Sequence, residues 1–371
     1  MRIGIDASPL RRYRSGVGHY AASLIEELAR LYPDCEYLLL SHLTDMCIDR
    51  ANLIRTQKHL FPIKEIWMQL WLPRILDRFR PDLCHFTNAI APLRASTPYV
   101  VTIHDLSLIL HPEWHPLSRR IWMRRLLRPS ALRARGVLCD SEATRRDLLS
   151  WVNIDSSKVR VVPLGARSIF NQTCSEERKA AVRRKHGITK EFFLYLGNIE
   201  PRKNLPLLLK AFKKSELAEY ELVLAGRRAW LWRDVLREIS RLRLEARVRI
   251  LDYLPEEELP ALYQSARAFA YPSRMEGFGL PVLEAMASGV PVIVSRIEPL
   301  VSLVGDAGWL ADPNDESEWQ NALTEAARDQ KRRKALAERA RERAAPYTWE
   351  STARATMRFY EQVLGYARTG E

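Results

Sequence analysis

Residues 192–204 read Phe192-Phe193-Leu194-Tyr195-Leu196-Gly197-Asn198-Ile199-Glu200-Pro201-Arg202-Lys203-Asn204. Five apolar residues in succession suit a strand covered on both faces, since a half-solvated strand would alternate apolar with polar. Gly197 ends the run, Pro201 stiffens the turn, and residues 205–213 (LPLLLKAFK) read as a helix. Strand, glycine turn and helix form half of a βαβ unit, and parallel sheets bind ligands beyond the carboxyl ends of their strands. Arg202 offers a planar fork to phosphate oxygens, Lys203 a point charge, and the helix a positive N-terminus. Together these groups can hold a pyrophosphate without a metal ion.

Similar apolar runs flank this stretch. They lie at 2–7, 36–40, 83–86, 99–103, 137–140 and 159–162 before it, and at 221–225, 248–251, 267–271 and 291–294 after it. Alternation with amphipathic stretches predicts an α/β protein with two doubly wound, Rossmann-like domains whose facing sheets would hold a ligand in a cleft. The expected division is 1–175, 176–347, and a closing helical segment 348–371. A length of 371 residues suits two domains, and 47% hydrophobic with 28% charged residues is ordinary globular composition. That balance excludes disorder, collagen and coiled coil as the dominant state. No uncharged apolar run is long enough to span a membrane, and no signal-type stretch opens the chain, so a cytoplasmic location is expected. Five scattered cysteines (Cys35, Cys47, Cys84, Cys139 and Cys174) lack C-x-x-C spacing and predict free thiols. The net charge of +13 is uneven: residues 1–175 hold 25 Lys and Arg against 16 Asp and Glu, the remainder 33 against 29. A basic first half implies an anionic partner.

Four further motifs carry chemistry. In Glu276-Gly277-Phe278-Gly279-Leu280-Pro281-Val282-Leu283-Glu284, two carboxylates flank a glycine turn that opens a helix. Carboxylates accept from vicinal hydroxyls, so the pair reads as a sugar and ribose clamp, with the glycines admitting the ligand to the backbone. Gly16-Val17-Gly18-His19-Tyr20-Ala21 matches a dinucleotide fingerprint formally, but it starts well past the first strand, and Ser41-His42 supplies no acid for a ribose. It reads instead as a glycine loop before a helix from about His19, with amides free to face a phosphate or an acceptor. His104-Asp105 follows a strand at another carboxyl end, where a histidine can serve the reaction, while His85 reads as a core residue. Residues 115–136 carry seven arginines (119, 120, 124, 125, 128, 133 and 135) and no acid, interleaved with Trp122, Met123, Leu126 and Leu127. With the Trp- and Leu-rich stretch 63–76, this suits an anionic membrane surface. RNA-binding signatures are missing, so no nucleic-acid partner is expected. No cluster has metal-ligand spacing.

These motifs resemble glycosyltransferase family 4, retaining enzymes of the GT-B fold. The resemblance rests on 196–204 (LGNIEPRKN), 222–226 (LVLAG), 271–291 (YPSRMEGFGLPVLEAMASGVP) and Gly305-Asp306-Ala307-Gly308. More loosely it extends to the glycine loop, His104-Asp105, Asp140-Ser141-Glu142 and Val162-Pro163-Leu164-Gly165. It implies that Arg202 and Lys203 bind the donor diphosphate. Glu276 would contact the transferred sugar within the Gly277, Phe278, Gly279 and Leu280 amides, and Glu284 the ribose. His104 would stand by the reacting centre, Gly16 and Gly18 near phosphate or acceptor, and the last helix would cross back to the first domain. Many members carry Arg where this chain has Asn198, which shifts the diphosphate onto Arg202 and Lys203, and Ser302 stands where an acid is frequent.

The form G-x-x-E-P-R-K-N is similar to bacterial mannosyl- and rhamnosyltransferases of surface polysaccharide synthesis. The resemblance therefore implies a retaining hexosyltransferase moving mannose from GDP-mannose to a glycan or polyprenyl-linked acceptor, peripheral on the inner face of the plasma membrane and needing no metal cofactor. The alternatives are a GDP-rhamnose or UDP-sugar donor, a nucleotide-sugar epimerase, and a non-catalytic basic module binding membrane or RNA.

Overall fold

The computed structural model describes residues 1–10, 14–42, 53–55 and 63–366, apart from the side chains of 53–55 and 118. The chain forms two compact units, Met1–Gly165 with Tyr347–Glu371 and Ala166–Pro346. The first boundary falls before Ala166 rather than after residue 175. Arg167 pairs with Glu256 and Glu284, and the Phe170 ring sits edge-on to Tyr263 at 5.6 Å, so residues 166–175 belong with the second unit.

In the first unit the strands are β1 (Arg2–Asp6), β2 (Glu36–Leu40), β3 (Leu53–Arg55), β4 (Leu83–Phe86), β5 (Tyr99–Ile103), β6 (Gly136–Cys139) and β7 (Val159–Val161). They pair in parallel in the order β3-β2-β1-β4-β5-β6-β7. The order turns between β1 and β4, the switch point where the tips of neighbouring strands diverge and leave a crevice. Val100, Val101 and Ile103 of β5 are fully buried, as a strand covered on both faces requires. Trp67, Met68 and Leu72 pack with Phe86, Val101 and Val137 in one apolar cluster. Each such side chain contributes about 1.5–3 kcal/mol of burial.

The helix Trp349–Leu364 belongs to this same unit. A Cβ on Gly165 would lie 2.1 Å from the Trp349 nitrogen, and one on Gly136 would lie 2.4 Å from the Phe359 ring. Both positions therefore take glycine because the last helix rests directly on the backbone there.

In the second unit the strands are β8 (Glu191–Leu196), β9 (Tyr220–Ala225), β10 (Val248–Leu251), β11 (Ala268–Tyr271), β12 (Val292–Ser295) and β13 (Gly308–Ala311). They pair in parallel as β10-β9-β8-β11-β12-β13, with the switch between β8 and β11. The turn after β8 is fixed by close backbone approach, since a Cβ on Gly226 would meet the Gly197 oxygen at 2.2 Å.

Sequence reading missed two strands. Leu53–Arg55 spans three residues and, among the described residues, pairs only with β2, while of Gly308–Ala311 only Gly308 was quoted, in the Gly305–Gly308 match. The glycine loop is also corrected: the helix Gly16–Leu31 begins at Gly16, not near His19. Ser15 is extended and accepts the Gly18 N–H on its hydroxyl at 3.4 Å, so that amide caps the helix rather than facing a ligand. Cys35, Cys84, Cys139 and Cys174 are free thiols, and Cys47 lies outside the described residues. Among the described residues no helix is long and apolar enough to cross a membrane.

Candidate functional site

The second unit gathers three of the expected residues at its switch point. Pro201–Lys203 forms a single 3-10 turn after β8, and Glu276 lies in the loop after β11, so two neighbouring strand tips supply the site. The Glu276 carboxylate bridges two cations: Oε1 accepts from Lys203 Nζ at 2.5 Å and Oε2 from Arg202 Nη1 at 3.4 Å. Lys203 also donates to the Tyr271 hydroxyl at 2.6 Å, and Arg202 to the Met275 carbonyl at 3.1 Å. On its other edge Arg202 donates to Glu200 from Nε at 3.3 Å and from Nη2 at 3.1 Å. Lys203 is only 5% exposed and Glu276 8%. Burial and the neighbouring Arg202 charge draw the Lys203 ammonium below the usual lysine range. Burial works to raise the Glu276 carboxyl, but the Lys203 and Arg202 charges overcome it and hold Glu276 ionised below the usual range.

Glu284 stands apart from that group. It lies within the helix Leu280–Ala287, 4% exposed, and accepts from Arg167 Nη2 at 3.0 Å, while Arg167 Nη1 donates to Glu256 at 2.6 Å. Burial lifts its carboxyl above the usual glutamate range, against the pull of Arg167. A run of stacked and tilted rings links the surroundings of the two carboxylates. Tyr195 and Tyr271 lie 5.8 Å apart, Tyr271 and Phe269 5.6 Å, and Phe269 and Tyr263 5.4 Å. The Tyr263 hydroxyl donates to the Pro281 carbonyl at the start of the Glu284 helix. Gly277 and Phe278 are buried between Glu276 and this helix, with Gly279 at its N-cap and Leu280 as its first residue. The Asn198 carbonyl accepts the Tyr195 hydroxyl at 2.7 Å, which ties the β8 turn back onto its own strand.

His104 stands in the first unit at the tip of β5. Its Nδ1 meets Asp140 Oδ2 at 2.7 Å and its Nε2 meets the Thr87 carbonyl at 2.9 Å, contacts drawn from the tips of β6 and β4. Burial alone would strip the ring of its charge, but Asp140 and the Thr87 carbonyl reverse this and raise its pKa. A carbonyl and a carboxylate both ask for N–H donors, so the arrangement favours imidazolium. The Tyr20 ring packs edge-on to His104 at 4.7 Å. Behind it runs a buried relay: the Tyr20 hydroxyl to Thr102 Oγ1 at 2.9 Å, Thr102 to His85 Nε2 at 2.6 Å, and His85 Nδ1 to the Tyr360 hydroxyl at 2.5 Å. Burial, with the His104 charge, lowers the His85 pKa to about 3 and keeps that ring neutral. Gly16 and Gly18 occupy the first turn of their helix, whereas the His104 ring nitrogens bond to Asp140 and to the Thr87 carbonyl.

The arginine-rich stretch forms the helix Leu117–Arg133. Leu126, Leu127 and Ala131 enter the core, while Leu117, Ile121, Arg124, Arg125, Arg128 and Leu132 are exposed. Their spacing places them on one outward face.

Sequence reading gave no role to Arg167, Glu256 or Thr87, and it quoted Glu200, Tyr271, Tyr20 and Asp140 only as parts of motifs. Tyr271 was accessible as the last residue of an apolar run beside the glutamate motif. Arg167 was not, since its carboxylate partners lie 89 and 117 residues away.

Comparison with known proteins agrees with this geometry. Residues 14–167 match the model described as Glycosyltransferase Family 4, and residues 178–343 the model described as Glycosyl transferases group 1. The chain is 30% identical to an O-antigen chain mannosyltransferase B of Escherichia coli over 97% of its length and 100% of the relative's. It is also 30% identical to the O-antigen chain mannosyltransferase RfbU of Salmonella typhimurium, over 74% and 73% of the two chains. A sucrose-phosphate synthase from Thermosynechococcus elongatus shares the fold with a TM-score of 0.79 at 21% identity, covering 99% of this chain and 100% of its own. The chain thus belongs to the family 4 glycosyltransferases, with the two Rossmann-like units of the GT-B fold.

Proposed function

We propose that this glycosyltransferase moves mannose from GDP-mannose onto a glycan or lipid-linked acceptor, with retention of anomeric configuration, in O-antigen or exopolysaccharide synthesis. The observation that carries the reading is the Glu276 carboxylate held between Arg202 and Lys203 at the switch point of the second sheet. The names of the relatives from Escherichia coli and Salmonella typhimurium support mannose and the O-antigen. A GDP-rhamnose or UDP-sugar donor would use the same groups.

The chemistry follows from charge. As the bond between the anomeric carbon and the phosphate oxygen breaks, negative charge grows on the diphosphate and positive charge on the sugar. Arg202 and Lys203 stabilise the first as fixed cations, with no proton transfer and no metal needed. Glu276 accepts from the sugar hydroxyls and Glu284 from the ribose. In the first unit His104 supplies a fixed positive charge, and Asp140 keeps it charged. The acceptor oxygen forms the new bond on the face the diphosphate leaves, and a diphosphate oxygen takes its proton. No side chain is assigned as a covalent nucleophile.

We also place the enzyme at the inner face of the plasma membrane through the Leu117–Arg133 helix. Its exposed leucines and isoleucine suit the acyl boundary and its arginines suit anionic headgroups, each worth about 1 kcal/mol. Sedimentation with phosphatidylglycerol vesicles should fall strongly for the R124E/R128E variant, and binding to phosphatidylcholine should be weak for both proteins.

The test of the transferase reading is a panel of nucleotide sugars with a lipid-linked glycan acceptor, the product anomer read by NMR. GDP-mannose should give the fastest transfer with retained configuration, and E276A should slow it about tenfold or more. Inverted product would remove the mechanism, and a UDP-sugar preference would remove the donor.

A further inference from the structure

Glu200 takes no part in the mechanism above, yet it holds the Arg202 edge best suited to phosphate. One carboxylate oxygen, Oε1, accepts from both Nε and Nη2 of Arg202, while Nη1 is engaged by Met275 and Glu276. The Nε–Nη2 edge is a fork that matches two phosphate oxygens. Glu200, Arg202, Lys203 and Glu276 are joined by ion pairs, and the four charges sum to zero. A nucleoside diphosphate approaching this balanced group gains little Coulomb attraction until a carboxylate lets a cation go.

The two carboxylates differ in how easily they can do so. Glu276 is clamped by two cations and its side chain is 7% exposed, so freeing it would leave a buried charge unpaired. The Glu200 side chain is 18% exposed, sits at the start of the 3-10 turn, and meets Arg202 from one side. It can turn to solvent at lower cost.

We propose that Glu200 is a built-in counterion that occupies the Nε–Nη2 edge of Arg202 until a donor diphosphate displaces it, and so sets how tightly the nucleotide is held. The inference rests on the donor-site reading given above. Donor entry exchanges one anion for another, Arg202 is never left bare, and the returning glutamate competes with the product diphosphate and speeds its departure.

Calorimetric titration of the full chain with GDP and UDP tests this, with guanosine and uridine as uncharged controls. E200Q keeps the size of the side chain and removes its charge. Its Kd for the diphosphate that the wild type binds should fall about fivefold. The matching nucleoside should bind as before, and product inhibition should strengthen. In an R202Q background the same change should add nothing. Unchanged or weaker diphosphate binding by a folded E200Q, checked by its melting temperature, overturns the counterion, as does tightening that persists without Arg202. A wild type that binds neither GDP nor UDP overturns the donor-site reading itself, and the counterion with it.

Discussion

At the switch point of the second sheet four ionised side chains share one knot, Glu200, Arg202, Lys203 and Glu276, with tyrosine rings beneath. At the carboxyl edge of the first sheet His104 pairs with Asp140 beside a relay of neutral hydroxyls and a neutral imidazole, and Asp6 at the tip of β1 pairs separately with Lys64 at 2.8 Å. Both groups hang from adjacent strand tips of parallel sheets with the same winding, so topology alone does not separate them. Charge does. The second unit carries exchangeable ion pairs, which suits an anion that must arrive and leave. The first holds the His104 ring in a fixed orientation between Asp140 and the Thr87 carbonyl, which suits a partner that stays put.

The comparison can be broken most forcefully at Lys203. K203A leaves Glu276 buried with one of its two cations gone, and losing a partner from a buried pair costs about 3–5 kcal/mol. Transfer measured as kcat/KM should drop about 100-fold or more while the melt stays cooperative. A variant near wild-type rate would show that the knot is structural.

Asp140 probes the fixed charge. In D140N burial governs His104, its pKa falls, and kcat should drop about tenfold with a new dependence on pH, whereas KM for the donor should hold. Stability should report the same pair. Because the folded His104 pKa is raised, the pair stabilises fully below the ordinary histidine value of about 6.5, and that stabilisation is lost as pH rises through the raised value. Urea midpoints taken on the alkaline side of neutrality should fall for the wild type and stay flatter for D140N. An equal fall in both proteins would remove His104 as the source.

The smallest effect belongs to Arg30, which reaches Glu350 at 2.8 Å between the first and last helices of the first unit. The pair is exposed, and an exposed pair contributes little. R30A should leave the melting temperature within replicate scatter. A clear drop would mean that the last helix is held by its surface charges as well as by its core.

The same contrast explains what the sequence revealed. Lys203 and Glu276 each follow an apolar run that ends at a strand tip, and β8 and β11 are neighbours, so motif and position together foretold their meeting. Glu284 was legible as a helical carboxylate but not its burial or its partner, since nothing near Arg167 in the chain hints at Glu284 or Glu256. His104 was visible as a residue beyond a strand, while its charge depends on Asp140, 36 residues onward on the next strand. Gly16 and Gly18 misled because a glycine pair suggests a loop, and the Ser15 cap that turns it into a helix is a weaker signal. The strand Leu53–Arg55 was lost to its brevity.

The bond between His85 and Tyr360 spans 275 residues of chain. Synthesis thus delivers all seven strands of the first sheet, then the entire second unit, before the segment that seats on Gly165 and Gly136 emerges. The first unit is completed only after the second has been made. Until then the His85 imidazole lacks the tyrosine that caps it, and Gly136 and Gly165 lack the helix that rests on them.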